Sequence, residues 1–256
     1  MISVIFTCKG RPALTELCLR RLIEIMPQPY ELYICYDGRD DDYIRMLKEI
    51  ALDKEGGIID NKWGSPSRFS LINQALNLAS GDFYMHVEND FYWVDPMCLD
   101  AALNAFYFST EQLDYIRFEQ LPFTHRNFYH YKRYDGKDIC WMHDDAPYRF
   151  TFNPHLRTFK YPTDEPFKTE GFTKQPEQHH NDGYLYQSAC MTGDNWRHLG
   201  IYSEGGHFKP YYGERFFNVR GKKITDISEV INEFGNLTDN PLYLELFGRY
   251  LNDNGN

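Results

Sequence analysis

The sequence predicts an α/β protein in which a mostly parallel sheet is flanked by helices and followed by a less regular elaboration. Two observations predict it. Short apolar, β-branched runs at residues 2–7, 31–36 and 83–87 alternate with stretches of helical periodicity, and strands separated by helical crossovers pair in parallel. Each run also ends in a turn or in charge, at Lys9-Gly10-Arg11-Pro12, Asp37-Gly38 and Glu88-Asn89-Asp90. In open parallel sheets the ligand crevice lies beyond the carboxyl ends of the strands, so Thr7, Asp37 and Asp90 are expected to converge on one site.

Residues 2–7 read as a buried strand, and Pro12 suits the first turn of the helix that follows. From residue 13 to 26 the apolar positions Leu14, Leu17, Cys18, Leu22 and Ile25 recur at three and four, which leaves Glu16, Arg20, Arg21 and Glu24 outside. Pro27 and Pro29 end the helix. A second strand at 31–36, a helix near 41–52 and a third strand at 57–60 complete a β-α-β-α-β order. A helix over 67–79 breaks at Ser80-Gly81, the strand at 83–87 delivers Glu88-Asn89-Asp90, Asp95-Pro96 opens a helix to about 108, and 115–118 reads as a further strand. Beyond Phe123 the pattern is irregular, with a strand expected at 149–152. Order returns at 187–192, 214–219 and 226–234, and Asn240-Pro241 is expected to cap a last helix through 251.

The chain of 256 residues is expected to form one domain, residues 1–120 supplying one half of the site and 121–256 the other. A formal charge of −10, with no dense Lys/Arg block, argues against free polyanions and anionic membranes as default partners. The six cysteines are scattered and include no C-x-x-C pair, so buried free thiols in a reducing compartment are expected. Residues 1–7 run straight into Lys9 and Arg11, and no apolar run approaches membrane-spanning length, which predicts a cytoplasmic protein.

The strongest chemical signal is Ser80-Gly81-Asp82-Phe83-Tyr84-Met85-His86-Val87-Glu88-Asn89-Asp90, in which a buried strand hands two carboxylates, one residue apart, to its end. Such a pair can hold one hard divalent cation, Mn²⁺ or Mg²⁺, with coordination sites left for a diphosphate. At this point the chain resembles the GT-A glycosyltransferases, especially the inverting family-2 type, whose sheet is Rossmann-like. The resemblance covers about residues 2–118 and, more loosely, 187–224. The first strand and its loop through Thr7 and Arg11 look like the segment that touches the donor nucleotide in that family, and Tyr33-Ile34-Cys35-Tyr36-Asp37-Gly38 looks like the strand whose terminal Asp binds nucleobase or ribose. The stretch from Ser67-Arg68 through Asn73 resembles the segment where an Arg and an Asn precede A-x-G-D. Ala79-Ser80-Gly81-Asp82 is similar to A-x-G-D itself, and Glu88-Asn89-Asp90 stands where D-x-D stands.

The resemblance thus implies donor binding by Thr7, Arg11, Asp37, Arg68, Asn73, Glu88 and Asn89, and metal binding by Glu88 and Asp90. The Glu at the first motif position departs from the commoner Asp, which makes Asp90 the safer ligand. No His follows His207, so a late metal ligand of the family has no counterpart. Tyr212-Gly213-Glu214-Arg215-Phe216-Phe217 resembles the family's E-D block with Arg215 in place of Asp, and this gives Glu214 the role of catalytic base, with Glu204, Asp194 and Glu119 as competitors. His143-Asp144-Asp145 and His179-His180-Asn181-Asp182 lack the spaced partners of a zinc site. Trp141 and Trp196 read as core or edge aromatics before sugar platforms.

The implied activity is transfer of a sugar from a nucleoside diphosphate donor, a UDP-sugar first, to an acceptor glycan or other hydroxyl compound, with a modified nucleic-acid acceptor left open. Sugar-phosphate nucleotidyl transfer is the enzymatic rival, but no Gly-rich basic loop follows the first strand. A catalytically silent GT-A-like binding module is the other alternative, against which stand Asp37, Glu88 and Asp90.

Overall fold

In the computed structural model, residues 1–61, 68–118, 128–143, 154–158, 187–191 and 195–198 are described, together with the single positions Pro241, Glu245 and Arg249. In chain order the elements are β1 (Ile2–Cys8), α1 (Pro12–Ile25), β2 (Tyr30–Tyr36), α2 (Asp41–Ile50), β3 (Gly56–Asp60), α3 (Arg68–Leu78), β4 (Phe83–Glu88), β5 (Phe91–Trp93) and α4 (Cys98–Phe108). They continue with β6 (Tyr115–Phe118), β7 (Phe128–Tyr134), β8 (Lys137–Met142), β9 (His155–Arg157), β10 (Ser188–Met191) and β11 (Trp196–His198). Among the described residues, nine strands form one sheet in the order β3-β2-β1-β4-β9-β6-β10-β8-β7, and β5 pairs with β11 apart from it.

The first four strands of that order are all parallel, as expected from the β-α-β-α-β reading. Following the pairings across the remainder, only β9 and β8 run against the common direction, so seven of the nine strands point the same way. The strand order departs from the sequence order where β9 inserts antiparallel between β4 and β6. That insertion joins the two halves of the sheet.

Side-chain alternation gives the sheet two buried faces, both covered by helices. On one, Val4, Phe6, Ile34, Met85, Ile116 and Leu156 pack with Leu19 and Leu22 of α1, Ile44 and Leu47 of α2, and Leu99 and Ala102 of α4. On the other, Ile5, Tyr33, Cys35, Tyr84 and Tyr115 pack with Leu71, Ile72, Ala75 and Leu76 of α3. Each fully buried aliphatic side chain contributes roughly 1.5–3 kcal/mol relative to exposure, so the central strands are the most strongly held part. Local signals agree with the packing: Pro12 opens α1, and Asp40 caps α2 by accepting from the N–H groups of Asp42 and Tyr43.

Several elements differ from the sequence reading. Glu16, expected outside, is 8% exposed, because Arg249 reaches its Oε2 at 3.1 Å while Arg20 holds Oε1 at 3.0 Å. Arg21 is also drawn in, donating to the carbonyls of Trp93 and Val94. The β7–β8 hairpin, β5, β9 and β11 were not anticipated. The strand expected at 149–152 and the elements expected at 214–219 and 226–234 lie outside the described residues. Pro241, Glu245 and Arg249 are helical, as expected for the last helix. All six cysteines are free and buried. Among the described residues, no helix is long and apolar enough to cross a membrane.

Candidate functional site

The carboxyl ends of β2, β1 and β4 lie side by side, with Thr7 in register with Cys35 on one neighbour and Glu88 on the other. The chain leaves β2 at Asp37, whose N–H donates to the Cys8 carbonyl at 2.9 Å. Asp37 therefore sits beside the end of β1. Its carboxylate is held on both oxygens: Lys9 Nζ lies 2.8 Å from Oδ2, and Asn61 Nδ2 donates to Oδ1 at 2.9 Å. Asn61 follows the end of β3, so three adjacent parallel strands supply this corner.

At the other side of β1, the chain turns out of β4 through Asn89 and Asp90. Arg11 Nη2 donates to Asn89 Oδ1 at 3.4 Å and to Asp90 Oδ2 at 3.3 Å. Asn89 is buried, and its Nδ2 donates to Thr15 Oγ1 at 2.7 Å. Thr15 shares a short hydrogen bond with the Tyr43 hydroxyl, which also donates to the Gly10 carbonyl at 2.7 Å. Tyr43 in turn stacks on Tyr36 with ring centroids 4.4 Å apart. One continuous network thus ties the β1–α1 loop to α2 and to the end of β4. Within that loop Gly10 has φ 56, a left-handed conformation that glycine adopts at little cost.

Thr7 is buried, and its hydroxyl lies 3.5 Å from the Val87 carbonyl and 3.4 Å from His86 Nε2. It faces the strand interior as much as the cleft. Glu88 and Asp90 are both half-buried. Arg68 opens α3, and Asn73, half-buried, lies further along that helix, which packs on β2 and β1. The structure therefore brings Thr7, Arg11, Asp37, Glu88, Asn89 and Asp90 to one edge of the sheet. Glu214, with Glu204, Asp194 and Glu119, lies outside the described residues, as do His179 and His180.

The thiols near this edge are buried, in surroundings that disfavour the thiolate. Burial pushes the Cys8, Cys35 and Cys18 thiols up, and at Cys18 the Asp90 charge acts in the same direction. Trp141 and Trp196 are buried, donating to the carbonyls of Gln112 and Phe118, so both are core groups. Glu88 and Asp90 offer hard carboxylate oxygens, and the group facing Asp90 is already a cation, Arg11. That donor set suits Mn²⁺ or Mg²⁺, while no group of three His, Cys, Asp or Glu side chains stands ready to hold a metal among the described residues.

Sequence reasoning missed Lys9, Thr15, Tyr43 and Asn61. Lys9 and Asn61 carried a signal, because each stands at the end of a strand next to the Asp37 strand. Thr15 and Tyr43 carried none, since each lies within a helix and reaches the loop only through tertiary packing.

No protein-family model matches the chain, and no curated protein is similar to it in sequence. Solved structures are similar in fold. The 1-349 piece of S. aureus TarS superposes with a TM-score of 0.56 at 14% identity over 79% of this chain, which spans 61% of that one. Mannosyltransferase PcManGT from Pyrobaculum calidifontis, in complex with GDP-Man and Mn²⁺, gives 0.55 at 13% identity over 99% of this chain and 74% of that one. Glucosyl-3-phosphoglycerate synthase from Mycobacterium tuberculosis matches 46% of this chain at a TM-score of 0.37, and the chain spans 43% of its length. The first two likenesses establish a GT-A-like fold.

Proposed function

We propose that the chain is a GT-A-type glycosyltransferase that moves a sugar from a nucleoside diphosphate donor to an acceptor hydroxyl with inversion. The observation that carries this reading is the row of carboxylates Asp37, Glu88 and Asp90 along the carboxyl edge of β2, β1 and β4, with Lys9 and Arg11 interleaved. That edge is where open α/β sheets bind nucleotides. Further support comes from the fold shared with PcManGT, whose complex holds GDP-Man and Mn²⁺.

In this scheme Asp37 accepts from a ribose hydroxyl or a nucleobase N–H, with Lys9 and Asn61 fixing its orientation. Thr7, Arg11, Arg68, Asn73 and Asn89 line the donor side, and a UDP-sugar is the first candidate, a GDP-sugar the second. Glu88 and Asp90 would hold a divalent cation, which when bound supplies charge neutralisation for the departing diphosphate. Glu214 takes the proton from the acceptor hydroxyl as its oxygen bonds to the anomeric carbon and the bond from that carbon to the phosphate oxygen breaks. A single displacement of this kind inverts the anomeric centre. The acceptor is a glycan or another hydroxyl compound bound by residues 121–256, and the shared folds lend no support to a nucleic-acid acceptor. Six free buried thiols support a reducing, cytoplasmic setting.

Calorimetry with UDP, GDP and the other common nucleoside diphosphates, with and without Mn²⁺, tests the reading. Binding tightened by the metal is expected, and no binding to any of them rejects it. With a turned-over donor, NMR should show a product of opposite anomeric configuration. Glu214→Gln should retain nucleotide affinity and lose about 10²- to 10⁴-fold in turnover.

A further inference from the structure

The Arg11 guanidinium stands where a metal on Asp90 would bring its charge. Nη2 lies 3.3 Å from Asp90 Oδ2 and 3.4 Å from Asn89 Oδ1. Both acceptors are fixed: Asn89 is anchored on Thr15, and the Asp90 side chain is only 13% exposed. The backbone that delivers Arg11 is constrained as well. Gly10 and Arg11 are consecutive left-handed residues, with φ 56 and 52, and a residue bearing a Cβ keeps that conformation only where its surroundings hold it. Tyr43 holds the Gly10 carbonyl, and the Thr15 N–H donates to the Arg11 carbonyl at 3.0 Å. The side chain itself is 32% exposed, so moving it off Asp90 would not open a packed core.

We propose that Arg11 is a displaceable counter-cation of the metal site. Resting on the function proposed above, it occupies Asp90 in the absence of donor and yields that carboxylate to the divalent cation when a nucleoside diphosphate gives the guanidinium another anion. Guanidinium and metal compete for one oxygen and repel each other, whereas the diphosphate attracts both. Metal and nucleotide then bind with positive coupling, and each tightens the other by the same factor. The arrangement also keeps the half-buried Asp90 from standing as an uncompensated charge in the empty site.

Mn²⁺ titrations of the full chain followed by electron paramagnetic resonance, without nucleotide and with saturating UDP or GDP, test this. In the parent protein, nucleotide should tighten Mn²⁺ by about 5- to 150-fold, the usual span of coupling between sites. Arg11→Gln should bind Mn²⁺ alone roughly tenfold more tightly, a change of about 1.4 kcal/mol, and lose most of the coupling. If Arg11→Gln does not fold, as judged by circular dichroism, Arg11→Lys decides: it keeps the charge but replaces the guanidinium whose Nη2 reaches both Asp90 and Asn89 with an ammonium on a shorter side chain, and should gain part of that affinity. Equal or weaker Mn²⁺ binding by the folded variant overturns the proposal while the metal site stands. A gain as large in Lys9→Gln, which removes the same charge from the same loop but from Asp37, also overturns it, by exposing a general charge effect. Absence of Mn²⁺ binding in every protein, nucleotide included, overturns the metal site beneath it too.

Discussion

The parallel half of the sheet has carboxylates at both ends, Glu31 near the start of β2 and Asp37, Glu88 and Asp90 at the carboxyl ends of β2 and β4, and the two ends treat them in opposite ways. At the amino end, Glu31 of β2 is 6% exposed and accepts from Ser3 Oγ at 2.5 Å, Ser80 N at 2.6 Å, Tyr33 OH at 3.1 Å and Gly81 N at 3.2 Å. Every donor there is a neutral hydroxyl or a backbone N–H. At the carboxyl end, Asp37 and Asp90 are met by Lys9 and Arg11, long side chains that are 74% and 32% exposed. The first arrangement can only be held or broken. The second can be exchanged for a ligand, which is what the proposed donor site asks of it.

The A-x-G-D resemblance gains a physical account from the closed end. A Cβ on Gly81 would stand 2.6 Å from Ser3 Oγ and 2.8 Å from the Ser3 backbone nitrogen, so glycine is required for the turn to approach β1. The Ser80 and Gly81 N–H groups then reach Glu31. In this chain the segment stabilises the start of β4, which is what aims Glu88 and Asp90 at the opposite edge.

The largest effect is expected at the closed end. Glu31→Ala leaves several buried donors without an acceptor and should cost about 3 kcal/mol of stability, read by denaturant unfolding, with nucleotide affinity of the folded fraction unchanged. The effect should carry a pH signature. Burial pushes the Glu31 carboxyl up, but donation from Ser3, the Ser80 backbone and Tyr33 outweighs it and holds the group below its ordinary value. A carboxyl lowered on folding contributes stability that is fully present above the ordinary value, about 4.3, and is lost as pH falls through the folded value. The gap between parent and Glu31→Gln should therefore narrow below about pH 4.3. A gap that holds constant into acid would mean that Glu31 is not the ionised hub drawn here.

Asp90→Ala should give the converse pattern. Stability should change little, because the partner lost is a partly exposed arginine, while metal-dependent nucleotide affinity should fall by about 10- to 100-fold or more. A variant that loses stability as Glu31→Ala does, yet keeps metal-dependent binding, would erase the distinction between the two ends.

Legibility in the sequence follows the same division. The parallel half could be read because each strand there is an unbroken apolar run followed by a helix, and the strand ends named Thr7, Asp37, Glu88 and Asp90 directly. Beyond Phe118 the element expected at 187–192 is found as β10, but the strands between Phe118 and β10 were missed for physical reasons. β9 is three residues, His155 to Arg157, and its neighbours place His86, His155 and Arg117 in one row and Tyr84, Arg157 and Tyr115 two residues along, with Met85, Leu156 and Ile116 between. Buried charged and imidazole groups of that kind defeat a reading based on hydrophobic alternation. Tyr43 and Thr15 failed differently: both sit at ordinary helical positions, and only the fold brings them to the Gly10 carbonyl.

The smallest expected effect belongs to Lys9→Met, and its smallness is the point. Lys9 is exposed, and its loss leaves the bond from Asn61 to Asp37 Oδ1 in place. An exposed pair of this type contributes below about 1 kcal/mol, so the melting temperature should barely move. Nucleoside diphosphate affinity should nonetheless weaken modestly at low salt, because a cation at the strand end helps to draw a polyanion into the site, and the difference should vanish at high salt as screening removes it. Calorimetry at two salt concentrations, paired with thermal melts, separates the outcomes. Should Lys9→Met unfold as readily as Glu31→Ala, the carboxyl-edge cations would be structural after all, and the open end would differ from the closed end only in exposure.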